Sequence, residues 1–222
     1  MASAGNGGWM VPSLGNAPVS QLTDGTWKVV RPSGDVHSYS SSRLSSITNA
    51  RDPSKDVKLF YLTNGVLDYV EDAQGRRMNF AYDNALVLKS VTLPDGQNIS
   101  YGYNSSGNLA SVDYGSGTTK QYHYGEQALA TNGDVGLLTG VTGEDGKRST
   151  SFGYDTYGRA VVSGRHASGG QSADVTRINY TALNGAQVTR PTGSVRNLTY
   201  TNDAYRRPLT IADSVGTVTS TY

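Results

Sequence analysis

The chain has 222 residues, 19 Lys and Arg against 18 Asp and Glu, no cysteine and 15 tyrosines. A formal charge of +1, with no basic run longer than two residues (Arg76-Arg77, Arg206-Arg207), argues against a nucleic-acid surface, which needs clustered positive charge. Lack of cysteine excludes disulfides, thiolate chemistry and Cys-rich zinc sites, and no apolar run approaches the length of a membrane span.

The first stretch, residues 1–20, is rich in Gly and Ser. It has neither the basic start nor the apolar core of a signal peptide, and Met1-Ala2-Ser3 reads as an expression remnant. From residue 21 onward the chain repeats, and 21–222 is expected to form one β-sheet domain. The beat is a tyrosine: Tyr39, Tyr61, Tyr82, Tyr103, Tyr124, Tyr154, Tyr180, Tyr200 and Tyr222, at intervals of 22, 21, 21, 21, 30, 26, 20 and 22 residues. The two long intervals contain "ALATNGDVG" and "RHASGGQSAD", which read as enlarged loops.

Two residues before most beat tyrosines stands a second bulky side chain, as in Phe80, Tyr101, Tyr122 and Phe152. A spacing of two puts both on one face of a strand. Gly75, Gly96, Gly117 and Gly193 lie seven residues before a beat tyrosine and Gly146 lies eight before Tyr154. Asp95-Gly96 and Asp145-Gly146 are tight-turn dipeptides. Earlier in each period comes an apolar pair spaced by three: Leu44 and Ile47, Leu67 and Val70, Leu88 and Val91, Leu109 and Val112, Leu138 and Val141. That spacing means either that both sheet faces are partly covered or that a bulge intervenes. One period is therefore strand, tight turn, strand, second turn. The fold class is all-β: antiparallel hairpin repeats of about 21 residues forming a wide curved or spiralling sheet, since wide sheets twist and curl. A β-propeller with two periods per blade is the alternative fold.

The chemistry-bearing residues are sparse. His37, His123 and His166 match no metal motif, His166 falling in an enlarged loop. There is no nucleophile elbow or phosphate loop, and Asp24, Asp95 and Asp145 read as turn formers. No cofactor, metal or catalytic residue is expected. The aromatics Tyr39, Tyr61, Phe80, Tyr82, Tyr101, Tyr103, Tyr122, Tyr124, Phe152, Tyr154, Tyr180, Tyr200 and Tyr222 read first as a ladder packing each hairpin on the next. The competing reading is a Tyr-rich glycan-binding platform.

The stretches "YDTYGRAVVSG" (Tyr154 to Gly164), "YNSSGNLASVDYGSG" (Tyr103 to Gly117) and "SVTLPDGQNISYGYN" (Ser90 to Asn104) resemble the YD repeat of the Rhs family, which includes bacterial Rhs toxins, the B and C components of insecticidal toxin complexes and teneurins. The resemblance covers about residues 21 to 222. Among the beat tyrosines only Tyr82-Asp83 and Tyr154-Asp155 keep the eponymous dipeptide; Leu62 and Gly125 depart from turn chemistry altogether. The resemblance implies part of a hollow β-shell that encloses or scaffolds a toxin or partner polypeptide, with the chemistry elsewhere. The family's Asp-Pro-x-Gly-Leu-type cleavage motif has no counterpart, since Asp52-Pro53 is followed by Ser54-Lys55. The implied partners are other repeats or domains of a parent Rhs-type protein and a toxin cargo, and the implied localisation is secreted or cell-surface. The chain stops at Tyr222 without a variable C-terminal domain, like a piece of a shell, and self-association through edge strands is expected. The alternative function is a secreted or cell-surface carbohydrate-binding module.

Overall fold

The structure, a computed structural model, describes residues 2–3, 9–11, 17–166, 172–182, 184–202, 208–212 and 215–220. The chain divides into two compact units, Met1–Ser100 and Tyr101–Tyr222. Unit 1 holds β1 (Ala2–Ser3), β2 (Trp9–Val11), β3 (Ala17–Gln21), β4 (Trp27–Val30), β5 (Asp35–Ser40), β6 (Arg43–Asn49), β7 (Val57–Tyr61), β8 (Leu67–Asp72), β9 (Arg77–Tyr82), β10 (Leu88–Thr92) and the start of β11 (Asn98–Tyr103). Each of these strands pairs antiparallel with the next. Unit 2 continues with β12 (Leu109–Asp113), β13 (Thr119–Tyr124), β14 (Leu138–Thr142), β15 (Arg148–Tyr154), β16 (Ala160–His166), β17 (Ser172–Ala182), β18 (Gly185–Thr189), β19 (Val195–Asn202), β20 (Pro208–Ala212) and β21 (Thr217–Thr219). From β12 to β21 every consecutive pair is again antiparallel. The chain is thus built from antiparallel hairpin repeats. The one helical element among the described residues is a single 3₁₀ turn, Pro53–Lys55.

The pairing register decides between the two explanations of the three-residue apolar spacing. Leu88 lies opposite Tyr82, but Ser90 lies opposite Ala81, so Lys89 is an extra residue and the strand bulges there. Val91 then lies opposite Phe80. The bulge brings Leu88 and Val91 onto the face that carries Phe80 and Tyr82. The same shift occurs between Ser38 and Tyr39, between Phe60 and Tyr61, between His123 and Tyr124 and between Gly153 and Tyr154. Leu67 and Val70 thereby face Tyr61 and Leu59, and Leu138 and Val141 face Tyr124 and Tyr122. Buried apolar side chains among the described residues include Val91 and Val112, the second members of two such pairs. Most other strand residues are half-buried, the accessibility of sheet faces rather than of a deep core.

The turns share one hydrogen-bond frame. In Asp72–Arg76 the Gly75 N–H donates to the Asp72 carbonyl at 3.0 Å and the Asp72 N–H to the Arg76 carbonyl at 3.0 Å. This is a type I turn closed by a residue in the left-handed region, where Gly75 sits at φ 77°. The frame recurs at Leu62–Val66, Asp83–Val87, Leu93–Gln97, Asn104–Asn108, Gly143–Lys147, Asp155–Arg159 and Arg190–Ser194. Where Asp or Asn leads the turn, its Oδ1 accepts two backbone N–H groups. Asp83 takes Ala85 and Val87, Asn104 takes Ser106 and Asn108, and Asp155 takes Tyr157 and Arg159. The departure at Leu62 is compensated inside the same turn, because Asn64, two residues on, accepts the Val66 N–H at 3.2 Å. Gly125, the other departure, opens a long loop whose base closes through its N–H to the Leu137 carbonyl at 2.9 Å.

Candidate functional site

Tyr61, Tyr82, Tyr124 and Tyr154 end their strands, Tyr180 lies two residues before the end of β17, and the hydroxyls of these five have a common kind of target. Tyr61 donates to the Leu44 carbonyl at 2.7 Å, Tyr82 to Leu67 at 2.8 Å, Tyr124 to Leu109 at 2.9 Å, Tyr154 to Leu138 at 2.9 Å and Tyr180 to Ala160 at 3.2 Å. The pairing register explains why these carbonyls need a donor. The β8–β9 ladder starts at Tyr69, two residues past Leu67, and the β6–β7 ladder starts at Ser46, two past Leu44. In unit 2 the ladders start at Ser111, Gly140 and Val162, each two residues past its tyrosine-bonded carbonyl. The bulge turns the first residues of the strand away from one neighbour, and the phenol supplies the bond that the ladder does not. Burial pushes the Tyr82 phenol above its ordinary pKa, with the Asp68 carboxylate adding to it, and burial does the same at Tyr124.

The remaining sequence-singled residues fall into place around this row. Phe80, Tyr122 and Phe152 share the face of Tyr82, Tyr124 and Tyr154 by alternation. Tyr39 lies opposite Leu44 at its bulge, Tyr101 and Tyr103 lie in β11, and Tyr200 lies in β19. Tyr222 lies outside the described residues. Gly75, Gly96, Gly117, Gly146 and Gly193 occupy turns at φ 77°, 87°, 80°, 72° and 79°. A stacked ring pair, Phe60 and Tyr69 at 4.3 Å, sits on the other face of unit 1, with the Arg77 guanidinium 4.3 Å over Tyr69.

Sequence reasoning missed a polar cluster in unit 2. The loop between β13 and β14 is not a loose excursion. The Glu126 carboxylate takes a bidentate pair of bonds from Arg148, Nη1 to Oε1 at 2.9 Å and Nη2 to Oε2 at 2.6 Å. Arg148 also donates to the Thr139 carbonyl at 2.8 Å and to Ser151 Oγ at 3.0 Å. Thr139, fully buried, donates its hydroxyl to Glu126 Oε2 at 2.6 Å. The guanidinium lies directly over Gly140, where any Cβ would collide with it. Arg148, bonded to both oxygens, holds the Glu126 carboxyl down to about 2 against the opposing effect of burial, with Thr139 assisting. Further along the loop, the Tyr154 N–H donates to the Leu129 carbonyl at 2.6 Å and the Tyr154 carbonyl accepts the Thr131 hydroxyl at 3.2 Å. The loop thus plugs the bulge at Tyr154, and Ala130 is fully buried there. Only a charged pair 22 residues apart with a glycine between hinted at this, and charge alone does not distinguish it from solvated side chains.

The three histidines are dispersed. His123 Nε2 lies 2.7 Å from Thr142 Oγ1 and His166 Nε2 lies 3.0 Å from Ser151 Oγ. His166 closes strand β16 instead of lying in a loop. No group of three metal-ligating side chains converges among the described residues.

Antiparallel hairpins, Asx-capped turns and a hydroxyl-to-carbonyl tie that recurs across the open end of the hairpins define a structural repeat protein. Residues 88–119, spanning β10 to the start of β13, match the RHS repeat family model. A comparison with curated proteins gave no match. Among solved structures, TcdB2-TccC3 without its hypervariable C-terminal region matches at 16% identity and a TM-score of 0.50, over 91% of this chain and 12% of that one. TcdB2-TccC3-Cdc42 matches at 16% and 0.49, over 90% and 11%, and the Tc holotoxin pore of Photorhabdus luminescens at 16% and 0.48, over 91% and 11%. The first shows a shared fold. The chain spans about a tenth of the length of these neighbours.

Proposed function

We propose that residues 21–222 act as one architectural domain, part of the wall of a hollow β-shell that encloses or scaffolds a toxin or partner polypeptide in a secreted or cell-surface Rhs-type protein. The observation that carries this reading is the tyrosine tie. Five beat tyrosines place their hydroxyls on the strand-start carbonyl of the other strand of their own hairpin. Such a tie closes the open end of each hairpin where the bulge interrupts the ladder, the same device repeated from one hairpin to another, which suits a wall built by repetition. It also weighs against the glycan platform, because these hydroxyls are engaged with the backbone. The polar groups of the Glu126–Arg148 cluster are likewise directed at each other and at the backbone, which supports architecture over catalysis.

Size-exclusion-coupled small-angle X-ray scattering tests the reading. A compact globule of this length has a radius of gyration of about 17 Å. A wall segment gives a clearly larger value for a confirmed monomer; a monomer at the globular value would overturn the proposal.

A further inference from the structure

The loop between β13 and β14 shows what the open end of a hairpin accepts. In the β14–β15 hairpin the ladder stops at Gly140 and Ser151, so Phe152, Gly153 and Tyr154 have no partner in β14. The chain's own segment Leu129-Ala130-Thr131 takes that place. Ala130 pairs parallel with Tyr154, the Tyr154 N–H donates to the Leu129 carbonyl at 2.6 Å, and the Thr131 hydroxyl donates to the Tyr154 carbonyl at 3.2 Å. Ala130, the central residue, is fully buried, which limits its size. Glu126, three residues before Leu129, accepts the hydroxyl of Thr139 at 2.6 Å, and Thr139 is the extra residue of the bulge that starts β14.

The β8–β9 hairpin has the same opening without the segment. Its ladder stops at Tyr69 and Asn79, so Phe80, Ala81 and Tyr82 have no partner in β8. The hydroxyl tie across the opening measures 2.8 Å at Tyr82 and 2.9 Å at Tyr154, so both openings have the same span. The turn that precedes β8, Leu62–Val66, closes on itself and is too short to fold back as the 125–137 loop does. A Cβ on Gly153 would lie 3.8 Å from the Leu129 side chain, an ordinary contact, and the equivalent position of β9 carries Ala81, which is exposed. The bulge residue equivalent to Thr139 is Asp68, between Leu67 and Tyr69. Its carboxylate has no hydrogen-bond or ion-pair partner among the described residues, and it lies near enough to the Tyr82 phenol to add to what burial does to its pKa. Tyr61 and Tyr124 offer less room. The Arg43 guanidinium lies 5.6 Å over the Tyr61 ring, and the 125–137 loop passes the Tyr124 hairpin, where Asn108 Nδ2 donates to the Val135 carbonyl at 3.4 Å.

We propose that the Phe80–Tyr82 end of the β8–β9 hairpin is a slot for an extended segment of a partner polypeptide, of the pattern basic-x-x-Leu-Ala-Thr, seated parallel to β9 as Leu129–Thr131 is seated beside Tyr154. The segment already seated in this chain selects the occupant. The leucine carbonyl accepts the Tyr82 N–H, the alanine fills a space that admits no large side chain, and the threonine hydroxyl donates to the Tyr82 carbonyl. A basic residue stands where the loop has Glu126, because Asp68 stands where β14 has Thr139, and a carboxylate there attracts a cation and repels an acid. Strand addition of this kind draws affinity from backbone hydrogen bonds and selectivity from the alternating side chains. The slot lies inside the sheet at an interrupted ladder, and so differs from the free edge of a terminal strand such as β21. It is present whether unit 1 belongs to a shell wall or to a closed module.

The probe is the blocked peptide Arg-Gln-Ala-Leu-Ala-Thr-Asn-Gly, the 126–133 segment with arginine in first place. Amide hydrogen exchange on the full chain, with and without the peptide at millimolar concentration, reads the site. In the free chain the Tyr82 amide should exchange at least about tenfold faster than the Tyr154 amide, and the peptide should slow Tyr82 at least about tenfold while leaving Tyr154 unchanged. Tryptophan in place of the central alanine should remove the protection. Glutamate in first place should weaken binding at least about threefold, and Asp68→Asn should erase that difference between the two peptides. A Tyr82 amide as protected as Tyr154 in the free chain overturns the proposal, since the chain then fills its own opening. So does a lack of added protection at Tyr82 with peptide present. Protection confined to β21 would assign the peptide to the sheet edge, and equal binding of the tryptophan peptide would make the contact nonspecific; either overturns it.

Discussion

The repeat that ends at Tyr82 and the repeat that ends at Tyr154 do the same thing with different means. Both tyrosines sit at a bulge, both precede an Asp that caps the following turn, and both donate to a leucine carbonyl, at 2.8 and 2.9 Å. Around Tyr82 the repeat is minimal and the connecting turns have five residues. Before Tyr154 the chain carries the long loop 125–137, which returns to bond the Tyr154 backbone and is pinned by Glu126 and Arg148. Across the set, the tie spans sequence separations from 15 to 20 residues without changing its target. Strand spacing sets the tie and loop length does not, so an insertion is tolerated wherever its own polar groups are satisfied.

The largest effect should come from unpinning the loop. Arg148→Ala leaves Glu126 and the Thr139 carbonyl without their partner in a half-buried setting, at a cost of about 2 kcal/mol. Hydrogen exchange should localise the change: the Tyr154 amide, bonded to Leu129, should exchange faster while the Tyr82 amide is unaffected. Gly140→Ala should mimic it by displacing the guanidinium. The pair also has a pH signature. The Glu126 pKa is depressed from 4.5 to about 2 by folding, so its contribution is complete above the unfolded value and disappears as the pH falls through about 2. The melting-temperature gap between wild type and Glu126→Gln should be constant from neutral pH to about 5 and close toward pH 2. A gap that closes near pH 4 would mean that Arg148 does not hold the carboxylate.

Removing the hydroxyls alone tests what the two repeats share. Tyr82→Phe and Tyr154→Phe keep the ring and leave one carbonyl unbonded, each at about 1 kcal/mol. The double variant should be additive, since the two ties share no partner. Equal losses in the two repeats would show that the inserted loop adds nothing to the tie. A loss at Tyr154 much below that at Tyr82 would show that the loop has taken over.

The tyrosine beat made the hairpin repeat legible, because a strand-turn-strand unit of fixed length forces its strand-end residue to recur. The bulge was legible only as one of two options. A spacing of three between Leu88 and Val91 is ambiguous until the partner strand fixes the register. That the hydroxyl matters besides the ring follows from which carbonyls the ladder leaves unpaired, a long-range property that no local pattern encodes. The Glu126–Arg148 pair was hidden for the same reason, as each residue reads locally as an ordinary surface charge. Leu86, in the left-handed position of the Asp83–Val87 turn, could have been noticed, since "YDNALVL" lacks the glycine that "YDTYGRA" has, but its φ and exposure come from the fold.

The smallest effects concern two turns of matching chemistry, Asp72–Arg76 and Asp155–Arg159. In both, arginine Nε donates to the capping aspartate at 2.7 Å. Arg76 is largely exposed, and such pairs contribute little because water and salt screen them. Arg159 in addition lies 4.2 Å over the Tyr180 ring and 5.1 Å over Tyr157. Arg76→Gln should therefore leave the melting temperature where it was. Arg159→Gln should lower stability by about 0.5 kcal/mol through the lost ring contacts. High salt separates the contributions: the carboxylate pairing is screened, while the contact of the guanidinium plane with Tyr180 persists. If Arg159→Gln is as silent as Arg76→Gln, the stack over Tyr180 is surface decoration, and the tie from the Tyr180 hydroxyl to Ala160, with the β16–β17 ladder, holds that end of the hairpin.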